Sequence, residues 1–515
     1  MLQTKLEQIV KRRATADPLP ATVAPFTSSN FFKSSQSKDK PKSKDCQDRL
    51  SHEAKRLTAS PLKAASRDYQ HQDMVSLGTA RPSPEYFPWG SLAMSCPEST
   101  SAGANMTTAS RLTMQSIRDE ADYDLAIALN YGYTAGSPQI LRFFTEHVDM
   151  IHDPLYSDWE TCVTCGTTSA LEVALRILCN PEETVLIEGR TYPGILACAR
   201  ALGLHLQGIK LDHGGLVPED LDRILTTWDL SKGPKPHVLY MIPTGQNPTG
   251  TTQPLKRRKL IYQLAEKHDL YILEDDPYYF ISCRDITSGS SSSDTPDLDQ
   301  YLNALPKSYL SLDVSGRVIR MNLTSKILAP GLRAGWITAN SMIIDKFISF
   351  PEVSALHPSG PTQVMLYKLL DKTWGHDGFL RWLVNLSAQY RLRRDILLSA
   401  CRDYLPSGIC TWSNPELGMF LWIHVKLPHI SASAGTFVDG KTPCTEYLDV
   451  EEAIFNQARK NGVLVSRGSW FIHDKTELDQ VNFRLTFAAA QQDSLKRAVE
   501  RFGSAVQLCV DHNSL

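Results

Sequence analysis

One lysine stands out among the residues that could do chemistry. The stretch MNLTSKILAPGLRAGW, Met321–Trp336, places Lys326 directly behind a short apolar run that predicts a buried strand. Ser325 precedes this lysine, and Arg333 follows it within the same stretch. A lysine whose pKa falls on burial becomes a nucleophile for carbonyl groups and afterwards a base, and an arginine fork can hold a phosphate. The stretch therefore predicts covalent chemistry on a carbonyl compound that also carries a phosphate.

Further polar side chains follow other predicted strands. The segment CGTTSALE begins a helix with Thr167 and Thr168, where free backbone N–H groups can bind a phosphate; an ordinary Thr/Ser helix cap is the alternative. The segment IPTGQNPTG is a stiff glycine-proline turn that presents Asn247 in one direction. The segment YILEDDPYYF places Asp276 and Tyr279 at the end of a buried strand, where an acid needs a donor or cationic partner.

The remaining candidates are an aromatic residue, a second arginine and two more acids. Tyr192, in EGRTYPG, can cover a flat ligand ring, and Arg484, in VNFRLTFA, can grip a carboxylate through two hydrogen bonds. We expect Glu274 and Asp275 to cap backbone groups or face solvent. Each feature alone has an ordinary structural explanation. Together, a phosphate cradle, a stacking ring, an amide, a buried acid, a lysine and two arginines describe pyridoxal 5′-phosphate bound as an imine.

An alternation of strand and helix patterns positions these residues. Short apolar runs such as ETVLIEG and HVLYMIP alternate with helical patterns such as TTSALEVALRILC, which predicts an α/β fold with a mostly parallel sheet between helices. From about residue 376 the pattern changes to one long helix and the strands of a smaller α+β domain. Ligands of such sheets bind beyond the carboxyl ends of the strands, and the candidate residues of the larger domain fall there.

Composition divides the chain into four predicted parts. Residues 1–68 are rich in serine and lysine and are expected to form a polar, partly disordered extension. Residues 69–104 form an N-terminal arm, residues 105–350 a large cofactor-binding domain and residues 351–515 the smaller domain. A serine-rich stretch at 287–297 predicts a flexible insertion in the large domain.

The overall composition argues against several classes of protein. With 515 residues, 42% of them hydrophobic, and a net charge of -2, the chain gives no electrostatic reason to expect nucleic acid as a partner. No apolar run approaches the roughly 18 residues of a membrane helix. The 11 scattered cysteines suit a reducing compartment, so we expect a cytoplasmic protein. No metal site is predicted.

The set of motifs resembles the fold type I, pyridoxal phosphate-dependent aminotransferases of class I/II. Within that class it is similar to the fungal aromatic amino acid aminotransferases, which are related to the 2-aminoadipate and kynurenine aminotransferases. The resemblance covers roughly residues 50–505 and rests on segments such as LNYGYTAGSPQILRFF, YMIPTGQNPTGT, EDDPYYF and SKILAPGLRAGWIT. It implies a seven-stranded type of sheet in the large domain.

The resemblance implies a role for each candidate toward the cofactor. Lys326 would bind pyridoxal phosphate covalently and then move the substrate proton, while Asp276 would pair with the ring nitrogen. Asn247 and Tyr279 would hydrogen-bond the ring 3-oxygen, and Tyr192 would stack on the ring. The residues implied as phosphate ligands are Thr167, Thr168, Ser325 and Arg333.

The resemblance also implies a partner subunit and a substrate contact. Tyr131 would reach the phosphate of the neighbouring subunit, which implies a homodimer with active sites at the interface. Arg484, with Asn247 beside it, would hold the α-carboxylate of the substrate.

The sequence departs from the family pattern at three places. Leu323 stands where the family has the first serine of a Ser-x-Ser-Lys run, so one phosphate hydroxyl is missing or is replaced by Thr324. Arg81, in Thr79–Pro82, and Arg467, in VSRGSWF, replace residues near the expected substrate pocket. We offer Arg81 or Arg467 as an anchor for the distal carboxylate of 2-oxoglutarate or an acidic amino acid.

The implied function is amino-group transfer from an aromatic or related L-amino acid to a 2-oxo acid by a ping-pong mechanism. One alternative keeps the cofactor and makes the protein a carbon–sulfur lyase, or a relative of aminocyclopropane-carboxylate synthases, in secondary metabolism. Another is a transcriptional regulator with an aminotransferase-like domain. Residues 1–68 lack the periodic apolar helices that a DNA-binding module needs, which argues against the last reading.

Overall fold

The β-strands of the structure include the apolar runs that were predicted as strands. The computed structural model describes residues 2–58, 78, 80–98, 111–285, 297–427 and 443–512. Its strands are β1 Ser91–Pro97, β2 Arg111–Ile117, β3 Trp159–Thr164, β4 Thr184–Glu188, β5 His205–Ile209, β6 Leu211–Asp212, β7 Gly215–Leu216, β8 Val238–Met241, β9 Tyr271–Asp275, β10 Val318–Leu323, β11 Gly335–Asn340, β12 Cys410–Trp412, β13 Phe420–Val425, β14 Ser466–Arg467 and β15 Val481–Thr486.

Seven of these strands form one sheet in the order β3-β11-β10-β9-β8-β4-β5. Strands β4, β5 and β8 are parallel to one another, and β9 is parallel to β10. Strand β11, which sequence analysis missed, runs antiparallel to both of its neighbours. The predicted α/β fold with a mostly parallel sheet is therefore confirmed.

Seven α-helices lie in predicted helical patterns, while others, such as Leu2–Thr15 and Pro138–Ile151, were not predicted. The α-helices are Leu2–Thr15, Ser35–Lys38, His52–Arg56, Leu125–Ala128, Pro138–Ile151, Thr167–Leu178, Pro193–Ala201, Pro218–Thr226, Leu255–His268, Leu298–Ala304, Ser341–Glu352, Gly360–Leu366, Gly375–Tyr404, Pro443–Lys460 and Gln492–His512, with a π-helix at Tyr367–Trp374. None of the helices in the described residues is long and apolar enough to cross a membrane.

The chain divides into two compact units. The first unit comprises Met1–Glu183, Ala265–Pro277 and Ile286–Asn385, and the second comprises Thr184–Leu264, Tyr278–Asp285 and Leu386–Leu515. The predicted boundaries after residues 68, 104 and 350 do not coincide with these limits, so the division into a large and a small domain stays a prediction. The predicted insertion at 287–297 lies outside the described residues except for Asp297, whose side chain caps the helix Leu298–Ala304.

The N-terminal segment differs from the prediction of a partly disordered extension. Residues 2–58 are folded onto the first unit, and 59–68 lie outside the described residues. Lys33 is buried, donates to the carbonyl of Ser157 at 2.8 Å and lies over the ring of Trp159. The indole of Trp159 in turn donates to Ser37. The prediction from composition was wrong here because Lys33 and Ser37 form hydrogen bonds with groups of the unit instead of with water.

A buried ionic cluster ties the first helix to the unit. Arg13, in Leu2–Thr15, pairs with Glu146 at 2.5 Å and with Asp371 at 2.6 Å, and Nε2 of His376 lies 3.1 Å from Glu146. Burial by itself would raise the pKa of Glu146, but hydrogen bonds from His376 and Arg13, together with their charge, outweigh it and lower the pKa to about 2. Glu146 is therefore ionised at neutral pH.

Replacing Glu146 by glutamine is expected to reduce the free energy of unfolding by about 3 kcal/mol at pH 7, because Arg13 loses a buried partner. The folded-state pKa lies below the ordinary value of 4.5, so this stabilisation is complete above pH 4.5 and disappears as the pH falls toward about 2. Denaturant unfolding of both proteins at several pH values measures the difference.

The matched control is Glu53→Gln, which removes a half-exposed partner of Arg176. That change is expected to cost less than about 1 kcal/mol at any of these pH values. A difference between wild type and Glu146→Gln that stays constant down the acid range would contradict the linkage.

Candidate active site

The turn after β10 positions Lys326. The amides of Ile327 and Leu328 both donate to the carbonyl of Thr324, which closes a tight turn around the lysine. The indole of Trp382 donates to the carbonyl of Ile327 at 2.7 Å and holds the turn in place. Lys326 itself is half-buried. The lysine thus stands on a fixed backbone at the carboxyl end of a buried strand.

Arg333 and the start of the helix Thr167–Leu178 form a cradle for an anion. The guanidinium of Arg333 donates to the carbonyls of Pro330 at 3.0 Å and Cys165 at 3.4 Å. Gly166 has a φ of +97°, and a Cβ built on it would lie 2.7 Å from Nη2 of Arg333. Glycine thus lets a guanidinium and the N-terminus of the helix, which begins with Thr167, meet at one place. This arrangement fits a phosphate group.

The missing serine at position 323 is not replaced by Thr324. Leu323 is buried at the end of β10 and offers no hydroxyl. The hydroxyl of Thr324 is also buried, and it donates to the carbonyl of Ala334 at 2.9 Å. Its proton is therefore engaged in holding the two strand ends together. Ser325, beside Lys326, is half-buried, and its predicted role toward the phosphate stays a prediction.

Asp276 lies beside an arginine that sequence analysis missed. Nη1 of Arg320, in β10, donates to Oδ2 of Asp276 at 3.0 Å and lies 2.8 Å from Oε1 of Glu274. Glu274 also accepts from the amides of Tyr309 and Leu310. Glu274 caps backbone groups as expected, but neither it nor Asp275 faces solvent, since both are buried. A charged residue inside the apolar run RVIRM was the signal that could have revealed Arg320.

The second unit carries the loop that presents Asn247. Gly245 has a φ of +55°, and a Cβ on it would lie 2.8 Å from the Cα of Gly418, so the loop rests on the backbone beside β13. The side-chain amide of Gln246 donates from Nε2 to the carboxylate of Glu188 at the end of β4. Asn247 is almost fully buried as a result. The predicted stiff turn is therefore locked to a strand end and to a neighbouring loop.

Arg484, in β15, points its guanidinium at Asn247. Nη1 donates to Oδ1 of Asn247 at 2.7 Å and Nη2 donates to Oγ of Ser466 at 3.1 Å. The rings of Phe420 and Phe471 lie 4.4 and 4.9 Å from the guanidinium carbon. Nε is buried without a hydrogen bond, and within the described residues the group bonds only to neutral oxygens. A guanidinium in such a setting can bind a carboxylate through two hydrogen bonds.

Two tyrosines of the second unit accompany this arginine. Burial lowers the pKa of Arg484, and the nearby side chains of Tyr278 and Tyr192 oppose that effect. The ring of Tyr192 folds over Gly194, where a Cβ would lie 2.1 Å from it. Tyr279 is buried and packs edge-to-face on Phe280. The structure therefore brings Tyr192, Asn247 and Arg484 together within one unit.

The contacts of the three remaining candidates, Tyr131, Arg81 and Arg467, do not themselves indicate a ligand site. Tyr131 is 49% exposed and meets the ring of His357 edge-to-face. Arg81 donates to the carbonyl of Val23 at 3.2 Å, and the preceding Thr79 lies outside the described residues. Arg467 pairs with the buried Glu451 at 3.0 Å, so its charge is already matched within the protein. The proposal of a distal carboxylate anchor is thus weaker for Arg467 than for Arg81.

A mostly parallel sheet with a lysine turn and an anion cradle at its strand ends defines an α/β transferase of fold type I. A family model described as aminotransferase class I and II matches residues 101–502. The aminotransferase swnA of Arthroderma benhamiae is 44% identical over 466 residues, covering 89% of this chain and 90% of that protein. The aromatic amino acid aminotransferase C56E4.03 of Schizosaccharomyces pombe is 38% identical, covering 90% of this chain and 98% of its own.

Among solved structures, aminotransferase Aro8 from Candida albicans superposes with a TM-score of 0.83 at 35% identity and covers 92% of this chain and 100% of that one. The chain belongs to the class I and II aminotransferases and is an enzyme that transfers amino groups. Enzymes of this family depend on pyridoxal 5′-phosphate and act on amino and 2-oxo acids. The residues of the cradle and the lysine turn fit that cofactor.

Proposed function

We propose that the enzyme holds pyridoxal 5′-phosphate on Lys326 and passes the amino group of an aromatic L-amino acid, or a related one such as kynurenine or 2-aminoadipate, to 2-oxoglutarate or another 2-oxo acid. The observation that carries the substrate class is Arg484, a half-buried cation whose guanidinium lies close to the rings of Phe420 and Phe471. It offers a fork to an α-carboxylate in aromatic surroundings. The similarity to aromatic amino acid aminotransferases supports the same class.

The roles proposed for the first unit concern the attachment of the cofactor and its phosphate. The cofactor, when bound, supplies an electron sink for the carbon that loses its proton. Lys326 would hold the cofactor and then carry the proton, Asp276 would pair with the ring nitrogen, and Thr167, Thr168, Ser325 and Arg333 would bind the phosphate. The fixed turn around Lys326 keeps its amine in reach throughout.

The roles proposed for the second unit concern the ring face and the substrate. Tyr192 would cover the ring, Asn247 and Tyr279 would hydrogen-bond its 3-oxygen, and Arg484 would bind the α-carboxylate. The hydrogen bond from Arg484 to Asn247 supports a shared role for these two residues. We also propose a homodimer in the cytoplasm, in which the exposed Tyr131 reaches the phosphate of the neighbouring subunit.

A half-reaction screen tests the proposed function. Mixing the yellow, cofactor-loaded enzyme with single amino acids and no oxo acid should bleach the absorbance fastest with phenylalanine, tyrosine, tryptophan, kynurenine or 2-aminoadipate. Adding 2-oxoglutarate should restore it. Continuous release of pyruvate and ammonia without an oxo acid would instead identify a lyase, and an absence of any bleaching with these donors would contradict the substrate class.

Gly166→Ala probes the phosphate cradle. The change is expected to weaken pyridoxal phosphate binding at least about tenfold, because a side chain at this φ is strained and displaces the guanidinium of Arg333. The dissociation constant follows from titrating the apoprotein with the cofactor. Gly331→Ala is the control, since nothing lies within 4 Å of its added Cβ. Equal affinities for the two variants would argue against a phosphate at this cradle.

A further inference from the structure

The guanidinium of Arg320 bridges two acids in the interior of the first unit. Its Nη1 lies 2.8 Å from Oε1 of Glu274 and 3.0 Å from Oδ2 of Asp276, and none of the three side chains is exposed. The two acids are separated by one residue at the end of β9, so both point to the same face of the sheet. One nitrogen thus fixes one oxygen of Asp276 and orients its carboxylate.

The three side chains share one small buried region. Two carboxylates lie against one guanidinium and none of the three is exposed, so removing the charge of any one of them changes the local field strongly. Two histidines near Arg320 stay uncharged at neutral pH. Burial, with the charges of His376 and Arg320, lowers the pKa of His147 to about 3, and burial lowers that of His152 well below its ordinary value. A ligand that offers a protonated ring nitrogen would add a hydrogen-bond donor for Asp276.

We infer that Arg320 is a positioning residue for the cofactor ring, which orients Asp276 and sets the pH at which the lysine-bound cofactor loses its proton. The inference rests on the proposed role of Asp276 and Lys326. Arg320 does not touch the ring in this account. The positive charge of Arg320 reduces the negative potential that Glu274 and Asp276 create at the ring. A less negative potential binds the proton of the lysine-bound cofactor less tightly.

The experiment measures the pH midpoint of the absorbance change of the lysine-bound cofactor in substrate-free enzyme. Arg320→Gln removes the positive charge and is expected to raise the midpoint by about one pH unit, the order expected for one charge at a buried site. Glu274→Gln removes a negative charge and is expected to lower it by a similar amount. Arg320→Lys keeps the charge and is expected to stay within about 0.3 units of wild type.

The matched control is Arg317→Gln. Arg317 immediately precedes β10, is nearly buried and also pairs with two acids, Glu266 and Asp269, at the other end of the strand. Its loss is expected to reduce the thermal midpoint of unfolding without moving the absorbance midpoint. This separates a loss of packing from a change in the field at the ring.

Opposite shifts for Arg320→Gln and Glu274→Gln support the inference, since loosened packing would not reverse sign between them. No shift in either variant, or shifts of the same sign, would overturn it. If Arg320→Gln does not fold, Glu274→Gln and Arg320→Lys still decide between these outcomes. A wild-type enzyme that never binds the cofactor covalently would instead refute the proposed function itself.

Discussion

Replacing Lys326 by alanine is expected to remove both the covalently bound cofactor and turnover, with a loss of at least about 10⁴-fold in kcat. General acid–base catalysis alone contributes up to about 10⁴, and the loss of the covalent attachment adds to it. The loss should appear in single-turnover experiments as well as at steady state. The absorbance spectrum of the purified protein shows directly whether the cofactor remains attached.

Two companion variants sharpen this result. Lys326→Arg keeps a positive charge but cannot act as a nucleophile or a base near neutral pH, so it should be as inactive as Lys326→Ala. Lys346→Ala removes a lysine that is equally half-buried and donates to the carbonyl of Leu57, and it should retain colour and turnover. A Lys326→Ala protein that stayed yellow and active would refute the proposed site.

Replacing Arg484 by alanine is expected to lower kcat/KM for amino acids by about 10²–10⁴-fold. Two charge-assisted hydrogen bonds to the α-carboxylate are lost, each of roughly 1.5–3 kcal/mol. Arg484→Lys keeps the charge but loses the fork, and an intermediate loss of about 10–10²-fold is expected. The measurement is the rate of bleaching in the first half-reaction as a function of amino acid concentration.

A substrate without its carboxylate isolates the contact. Wild type should react much faster with tyrosine than with tyramine, which lacks the α-carboxylate. Arg484→Ala should lose most of this preference, because the variant has no guanidinium to bind the carboxylate of tyrosine. Arg459→Ala is the control, since Arg459 also lies over an aromatic ring, Phe455, but on the helix Pro443–Lys460. Discrimination that survives in Arg484→Ala would place the carboxylate elsewhere.

The local patterns of the sequence predicted most of the secondary structure. The run from Gly375 to Tyr404 is the single long helix that its periodicity predicted, and β4, β8 and β9 lie in the runs that predicted strands. The three strands are continuous apolar runs that are buried at every position, and the helix repeats apolar residues at helical spacing. A sequence displays both patterns directly. Strand β11 was missed because the turn residues before it gave no sign that the chain would return antiparallel to β10.

The N-terminal segment was predicted least well. Its composition predicts disorder, yet Arg13 and Lys33 are partners of Glu146 and of the carbonyl of Ser157, which lie more than one hundred residues away in the chain. Composition measures the average tendency of a segment to stay in water. It cannot show that a distant buried acid or carbonyl needs a donor.

The sequence by itself showed which residue types follow, or lie within, which predicted strands. Lys326, Asp276 and Asn247 were predicted from apolar runs and the turn residues that end them, and Arg484 from its position within a predicted strand, because strands and stiff turns are local properties of a chain. The class of chemistry follows from that set and from its order.

Only the tertiary structure decided which partner each of these side chains has. It placed Arg320 between Glu274 and Asp276, bonded Arg484 to Asn247 across 237 residues of chain, and matched the charge of Arg467 with Glu451. The energy of a buried charge depends on the atoms a few ångströms away, whatever their separation in the sequence. The pairing of charges, and with it the electrostatic setting of the cofactor ring, is therefore a property of the folded chain alone.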